Sequence, residues 1–180
     1  MLSSKRLRLR AIEHSDLSRF VSWLNDPEVT EHLMLYIPMS LPQEEQWYEK
    51  TLNGPAEEQP LVIEIDTPEG WTPIGNISLM HVDWRTRSAE LGLFIGEKRY
   101  WNQRYGGEAI QVMLRHGFEG MNLNRIYLRV FETNPRAIRC YERVGFQHEG
   151  RLRQAHFLKG QYIDVLIMSV LRDEWKDNLH

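Results

Sequence analysis

The chain has a single cysteine, Cys140, and one thiol excludes an internal disulfide. A reducing cytoplasm is the expected compartment. Long apolar runs are also missing. No stretch approaches the ~20 residues that span a bilayer, and the opening MLSSKRLRLR lacks the apolar core of a secretory signal. No membrane partner is therefore expected. There is no basic excess either. With 22 Lys and Arg against 25 Asp and Glu, the formal net charge is −3, which argues against nucleic acid as a partner. The seven histidines are scattered, with no H-E-x-x-H spacing, so no metal is expected.

What is present is ordinary globular material, 42% hydrophobic and 26% charged over 180 residues. No repeat or linker interrupts it, so one domain over 1–180 is expected, burying roughly 70% of the unfolded chain's surface. The most informative stretch runs from Ser88 to Arg115. Ala89–Ile95 is apolar and reads as a buried strand, whereas Ile110, Met113, Leu114, Gly117 and Phe118 recur at helical spacing. Between them lies a basic turn, with Lys98, Arg99 and Arg104 ahead of Gly106 and Gly107. A turn placed before a helix leaves N–H groups unpaired, and the helix-end partial charge favours a phosphate there. No Lys-Ser or Lys-Thr follows the glycines, and they do not fit G-x-G-x-x-G, so neither a P-loop nor a dinucleotide fingerprint is present.

Strands are predicted at Arg6–Ala11, Leu61–Asp66, Ile74–Val82, Ala89–Ile95, Arg125–Val130, Phe146–Leu152 and Tyr162–Leu171. Helices are predicted from about Ser15 to Asn25, from Pro42 to about Asn53, from Gly106 to about Glu119, and from Asn134 to Gly145, with a short one after Pro27. The Lys5–Arg10 cluster alternates with Leu7 and Leu9 and reads as the solvated face of a strand. The order β-α-α-β-β-β-α-β-α-β-β describes a mixed α/β (α+β) sheet of about seven strands flanked by about four helices. The unit from Ala89 to Val130 reads as a crossover between parallel strands, with ligands gathering at their carboxyl ends.

This order and several motifs resemble the GNAT superfamily of N-acetyltransferases, in the branch of ribosomal-protein alanine and spermidine N-acetyltransferases. The resemblance covers nearly the whole chain and rests on WLNDPEV, AELGLFI, the YGGEA turn, LNRIYLRVFETNPRAIRCYERVGF and the ending EGRLRQAHFLKGQYIDVLIMSVLRDEW. Its most specific piece is N-P-R-A-I-x-x-Y-E-R-x-G-F, from Asn134 to Phe146. The family's phosphate turn, Q/R-x-x-G-x-G/A, falls on Trp101-Asn102-Gln103-Arg104-Tyr105-Gly106, of which only Gly106 matches. Arg104 stands where a glycine belongs, which implies a residue at positive φ and a guanidinium able to reach a phosphate.

The resemblance implies acetyl-CoA as acetyl donor, moved to a primary amine by direct attack in a ternary complex. The alternative is a non-catalytic acyl-CoA sensor. It further implies that Leu93, Phe94 and Ile95 splay from Arg125–Val130 and free main-chain groups for the pantetheine arm. Trp101, Asn102, Gln103, Arg104, Tyr105, Gly106 and Gly107 would hold pyrophosphate. Asn134, Arg136, Ala137 and Tyr141 would border the far end of the cofactor.

Such chemistry has two proton problems. An alkylamine, with a pKa of about 10.4, is mostly protonated at neutral pH, and a thiolate leaves better once protonated. Tyr141 suits the acid, its competing reading being a ring packed in the core. Glu90 suits the amine side, unless it serves only to pair with Arg87 or another cation. His81 could relay a proton, although a strand histidine is more often a surface residue. Cys140 is expected to be a small helix residue. Of the tryptophans Trp23, Trp47, Trp71, Trp84 and Trp101, most are expected in the core or on cleft walls, with Trp84 a candidate for the acceptor site. Glu28, Glu31, Glu44 and Glu45 place acidity near the acceptor, compatible with a polyamine, a peptide N-terminus or an aminoglycoside-like amine. A homodimer is admitted.

Overall fold

The computed structural model describes residues 2–35 and 37–177. Tyr36 and both ends of the expected domain, residue 1 and residues 178–180, lie outside the described residues. The N-terminal alternation forms β2 (Leu7–Ala11), preceded by a two-residue strand, β1 (Leu2–Ser3), too short to leave a pattern. Three helices follow: α1 (Leu17–Leu24), α2 (Pro27–Thr30) and α3 (Leu41–Leu52). Asp26 caps α2 through the Glu28 N–H at 2.9 Å. At α3, the Ser40 N–H donates to Gln43 Oε1 at 2.9 Å and the Gln43 N–H donates back to Ser40 Oγ at 3.4 Å, the reciprocal capping box.

The antiparallel meander is β3 (Leu61–Thr67), β4 (Gly70–Asp83) and β5 (Ser88–Ile95). Next come α4 (Tyr105–Arg115), prolonged by a π-turn over His116–Gly120, and β6 (Arg125–Phe131). α5 (Pro135–Val144) stops at Gly145, whose φ of 114° suits a residue without a Cβ. β7 (Gln147–Leu158) and β8 (Gln161–Leu171) end the sheet, whose order is β1-β2-β3-β4-β5-β6-β8-β7.

Two strand bounds differ from those expected by more than one residue. β4 begins at Gly70 rather than Ile74, and β7 runs to Leu158 rather than Leu152. β7 is exposed from Gln147 to Ala155, so no burial alternation marks it; its main-chain pairing to β8 through two register shifts holds it.

The sheet separates two apolar layers. On one face Ile110, Val112, Met113 and Leu114 of α4 pack with Ile63, Ile65, Leu91, Ile126, Leu128 and Val130. On the other, Leu17, Phe20 and Trp23 of α1 pack with Val29 and Val62, joined by Trp47, Phe94 and Trp101. Val62 and Ile63 thus point to opposite faces, as strand geometry requires. Not every tryptophan joins these layers: Trp71 is exposed and stacks under the Arg8 guanidinium at 4.5 Å.

The basic N-terminal strand is not merely a solvated face. Glu64, buried on β3, receives Arg8 Nε at 2.7 Å and Arg10 Nε at 2.8 Å, and Arg10 also grips Asp16 at 2.7 and 2.8 Å. Glu64→Gln leaves Arg8 without its carboxylate and Arg10 with Asp16 alone. Because Arg8 and Arg10 side chains retain 32% and 24% exposure, the expected loss is discounted to about 2 kcal/mol. Calorimetry should read it as a melting temperature lower by about 4–8 °C.

Candidate active site

β5 and β6 run parallel but pair only at Ser88–Arg125, Ala89–Ile126 and Glu90–Tyr127. Beyond that point both strands continue unpaired with each other, to Ile95 and Phe131. β5 stays hydrogen-bonded to β4 as far as the Gly75–Ile95 pair. The expected splay is therefore present, and it opens a cleft of about 620 Å³. Leu93, Phe94 and Ile95 form one wall, and Val130 lines the cleft from the parted strand.

The basic turn closes one end. A 3-10 turn over Lys98–Tyr100 leads to Arg104, which sits in the left-handed region at φ 69° as the N-cap of α4. The first intrahelical bond is Glu108 N–H to the Arg104 carbonyl at 3.1 Å. The N–H groups of Tyr105, Gly106 and Gly107 precede it and are left for an outside acceptor. A Cβ added at Gly107 would come within 3.4 Å of Cys140 Sγ, so a larger residue would fill the space between α4 and α5. Unclaimed amides, aligned helix dipole and nearby cations fit a pyrophosphate, and a parted strand fits an extended arm bearing amides. By that measure the residues present suit coenzyme A.

Trp101 takes the position of the family's opening Gln or Arg. Its indole N–H donates to the Ile95 carbonyl at 2.8 Å, capping the free end of β5, and Arg136 of α5 lies 4.1 Å over its ring. Both residues line the cleft, as do Asn102, Arg104, Tyr105 and Gly106. Gln103 does not: it is exposed, and its side chain donates to the Arg99 carbonyl at 2.8 Å. Left-handed geometry disfavours a residue with a Cβ by about 1 kcal/mol. Arg104→Gly should therefore raise the melting temperature by about 2–4 °C, yet weaken coenzyme A binding at low salt as a cation is lost. Calorimetric titrations at two ionic strengths check both signs.

α5 forms the facing wall. Asn134 lies in the cleft, but its Oδ1 is engaged with the Ala137 N–H at 3.1 Å, so its evident work is to start the helix. Tyr141, two turns on, is half-buried, packed at 5.8 Å from Phe146, and lines the cleft with Ala137 and Cys140. Burial, with a smaller contribution from Cys140, pushes its phenol well above the usual tyrosine range. It is protonated at neutral pH.

Glu90 is only 6% exposed. Its partner is Arg129 of β6, not Arg87, with contacts of 2.8 and 3.3 Å to its two oxygens. Both residues line the cleft. His81 lies in the bulge between Met80 and Asp83, at φ 53° and with a side chain 67% exposed. Its Nε2 approaches Glu90 at 3.9 Å, outside the cleft lining. Trp84, 53% exposed in the β4–β5 turn, is likewise not among the lining residues.

Among the lining residues that the sequence-derived site lacks are Arg129 and His32. Arg129 is a cation inside an apolar strand, but its pairing with Glu90 depends on β5 and β6 lying side by side. His32, after α2, carried no signal. Among the described residues no group of His, Cys, Asp and Glu is placed to hold a metal ion, and no helix is long and apolar enough to cross a membrane.

The model of the acetyltransferase (GNAT) domain matches residues 6–147. A spermidine N(1)-acetyltransferase of Vibrio cholerae is 32% identical, over 96% of each chain. An uncharacterized N-acetyltransferase of Bacillus licheniformis is 30% identical, over 97% of each. The crystal structure of the Vibrio cholerae spermidine N-acetyltransferase in complex with CoA and spermine superposes with a TM-score of 0.85 at 29% identity, covering 93% of this chain and 96% of that one. With relatives named as transferases along almost their whole length, the acyl-CoA sensor reading has nothing left to support it. The chain belongs to the GNAT acetyltransferase family and is an acetyl-CoA-dependent N-acetyltransferase.

Proposed function

We propose that the acceptor is a polyamine, acetylated at a primary amine by direct attack in a ternary complex, with Tyr141 as the acid and Glu90 on the amine side. The observation that carries this reading is the parted β5–β6 pair, whose cleft is lined by Tyr141 and Glu90 together. When bound, acetyl-CoA supplies an activated acyl group. The amine nitrogen bonds to the carbonyl carbon, the C–S bond breaks, and Tyr141 Oη gives its proton to the departing sulfur. Glu90, held by Arg129, orients the cationic amine and takes its first proton directly or through water; the second, shed once the nitrogen is acylated, passes through water to the phenolate left on Tyr141. Main-chain N–H groups of the freed part of β5 stabilise the developing oxyanion. The residues assigned to pyrophosphate and to the far end of the cofactor are those of the α4 turn and the start of α5.

The polyamine is supported by relatives named as spermidine acetyltransferases and by the carboxylates of Glu28 and Glu90 on the cleft wall. We read 1–180 as one domain, which one continuous sheet supports. A cytoplasmic location accords with the free thiol of Cys140. A homodimer is the proposed assembly, to be checked by light scattering.

Thiol release from acetyl-CoA with spermidine, an N-terminal peptide and an aminoglycoside tests the acceptor. The expected kcat/KM for spermidine is at least tenfold above the others. Preference for the peptide or the aminoglycoside would remove the polyamine, and thiol release with none of them would remove the direct-attack assignment as well.

A further inference from the structure

The reaction as derived above places one end of the acceptor, at Glu90, and leaves the cleft floor beyond it unassigned. On β4, Asn76, Ser78 and Met80 alternate with the buried Ile77 and Leu79. Their side chains therefore share one face, and all three residues line the cleft. Register sets Met80 opposite Glu90, Ser78 opposite Gly92 and Asn76 opposite Phe94. Leading away from Glu90, the row follows the part of β5 that β6 has left.

Among the described residues, neither the Ser78 hydroxyl nor the Asn76 carboxamide has a hydrogen-bond partner. Nor are they sealed in protein, since neither is among the fully buried polar atoms that lack a partner. Both keep accessible surface, and the cleft is the space they line. Gly92 keeps the floor low at this point: a Cβ there would stand 3.9 Å from Ser78 Oγ and 2.7 Å from Met80 Cε. One row further, Phe94 lines the cleft and meets Trp23 of α1 edge-on at 6.2 Å, so an aromatic ring adjoins Asn76.

A serine Oγ and an asparagine Oδ1 accept from N–H groups, and an aromatic face attracts a cation. The carboxylates of Glu28 and Glu90 on the cleft wall favour positive charge in the same space. Neutral acceptors beside a ring suit an ammonium carried on an apolar chain. Alternate residues of a strand lie about 7 Å apart, a step comparable with the methylene spacers of a polyamine.

We propose that Ser78 and Asn76 form a second amine subsite: with the reacting amine at Glu90, the next nitrogen of the acceptor donates to Ser78 Oγ and Asn76 Oδ1. This subsite rests on reading the acceptor as a polyamine, and it makes the β4 row the source of preference over a simple alkylamine. No covalent step is added.

The test uses the full chain with acetyl-CoA and either spermidine or butylamine, which has a primary amine and no second nitrogen. Ser78→Ala combined with Asn76→Leu removes both acceptors. The double variant is expected to lose tenfold or more in kcat/KM for spermidine, through KM. Its kcat/KM for butylamine and its KM for acetyl-CoA should stay within twofold of wild type. Equal losses for both amines, or no loss, overturn the proposal. So does a rise confined to the KM for acetyl-CoA, which would give the row to the cofactor's arm. Asn76→Asp gives a second readout that does not depend on the double variant folding. A carboxylate in the row should lower the KM for spermidine threefold or more and leave butylamine unchanged; an unaltered ratio between the two amines overturns the proposal. If wild type favours spermidine over the peptide and the aminoglycoside while the variants keep its ratio of spermidine to butylamine, the subsite alone fails. If wild type favours another acceptor, the polyamine reading fails and the subsite with it.

Discussion

Tyr141→Phe is expected to lower kcat about 100-fold or more while leaving the coenzyme A dissociation constant within about threefold of wild type. The ring stays: its packing against Phe146 at 5.8 Å involves no hydroxyl, so the variant should melt with the parent. Only the proton donor is removed. The departing thiolate, with a pKa near that of cysteine at about 8.5, then leaves without an acid. Because burial holds the phenol above the usual value of about 10, the acid is in its working form throughout the neutral range. Rates that rise between pH 7 and 9 therefore report loss of the amine proton, and any fall attributable to Tyr141 lies above pH 10. The same shift has a sign for stability. The folded state holds this proton more tightly than the unfolded chain, so stability is full below about pH 10 and is lost as pH rises past it. A variant that turns over like wild type at saturating substrates would take Tyr141 out of the reaction.

The second large effect lies on β4. A Cβ on Gly75 would stand 2.1 Å from the Phe94 carbonyl oxygen and 2.9 Å from Ile95 Cα. These are backbone atoms, so no side-chain rotation relieves them. Gly75→Ala must push the free end of β5 away from β4, at the point where β5 has already lost β6. The expected cost is about 3 kcal/mol, at the upper end for overpacking, or about 6–12 °C in melting temperature for a domain of this size. Coenzyme A affinity should fall at least tenfold alongside, because Phe94 and Ile95 carry the main-chain groups assigned to it. Calorimetry and titration on one preparation measure both. A variant that melts early but binds coenzyme A normally would show that the end of β5 does not hold the cofactor.

Much of this was readable residue by residue, for local reasons. The helical period of Ile110, Met113, Leu114 and Phe118 gave α4 its buried face, and Ser40 with Gln43, and Asn134 with Pro135, gave two helix starts. Arg104 in place of a glycine announced its own positive φ. The full length of β7 is not legible in the sequence because its residues face solvent, where nothing constrains an alternation. Trp84 and His81 are near Glu90 in sequence, yet both are exposed and neither is among the residues lining the cleft. The buried role of Glu64 depends on two arginines more than fifty positions away, and no local pattern expresses that.

The sequence by itself determined most of the elements, their order, the family and the glycine-bearing turn before α4, since each follows from contacts within a few residues or from a linear motif. Only the tertiary structure decided that Glu90 answers to Arg129, that Trp101 caps the end of β5, and that His32 reaches the cleft wall. Those facts depend on which strands stay paired and which part, and that balance is struck between side chains far apart along the chain.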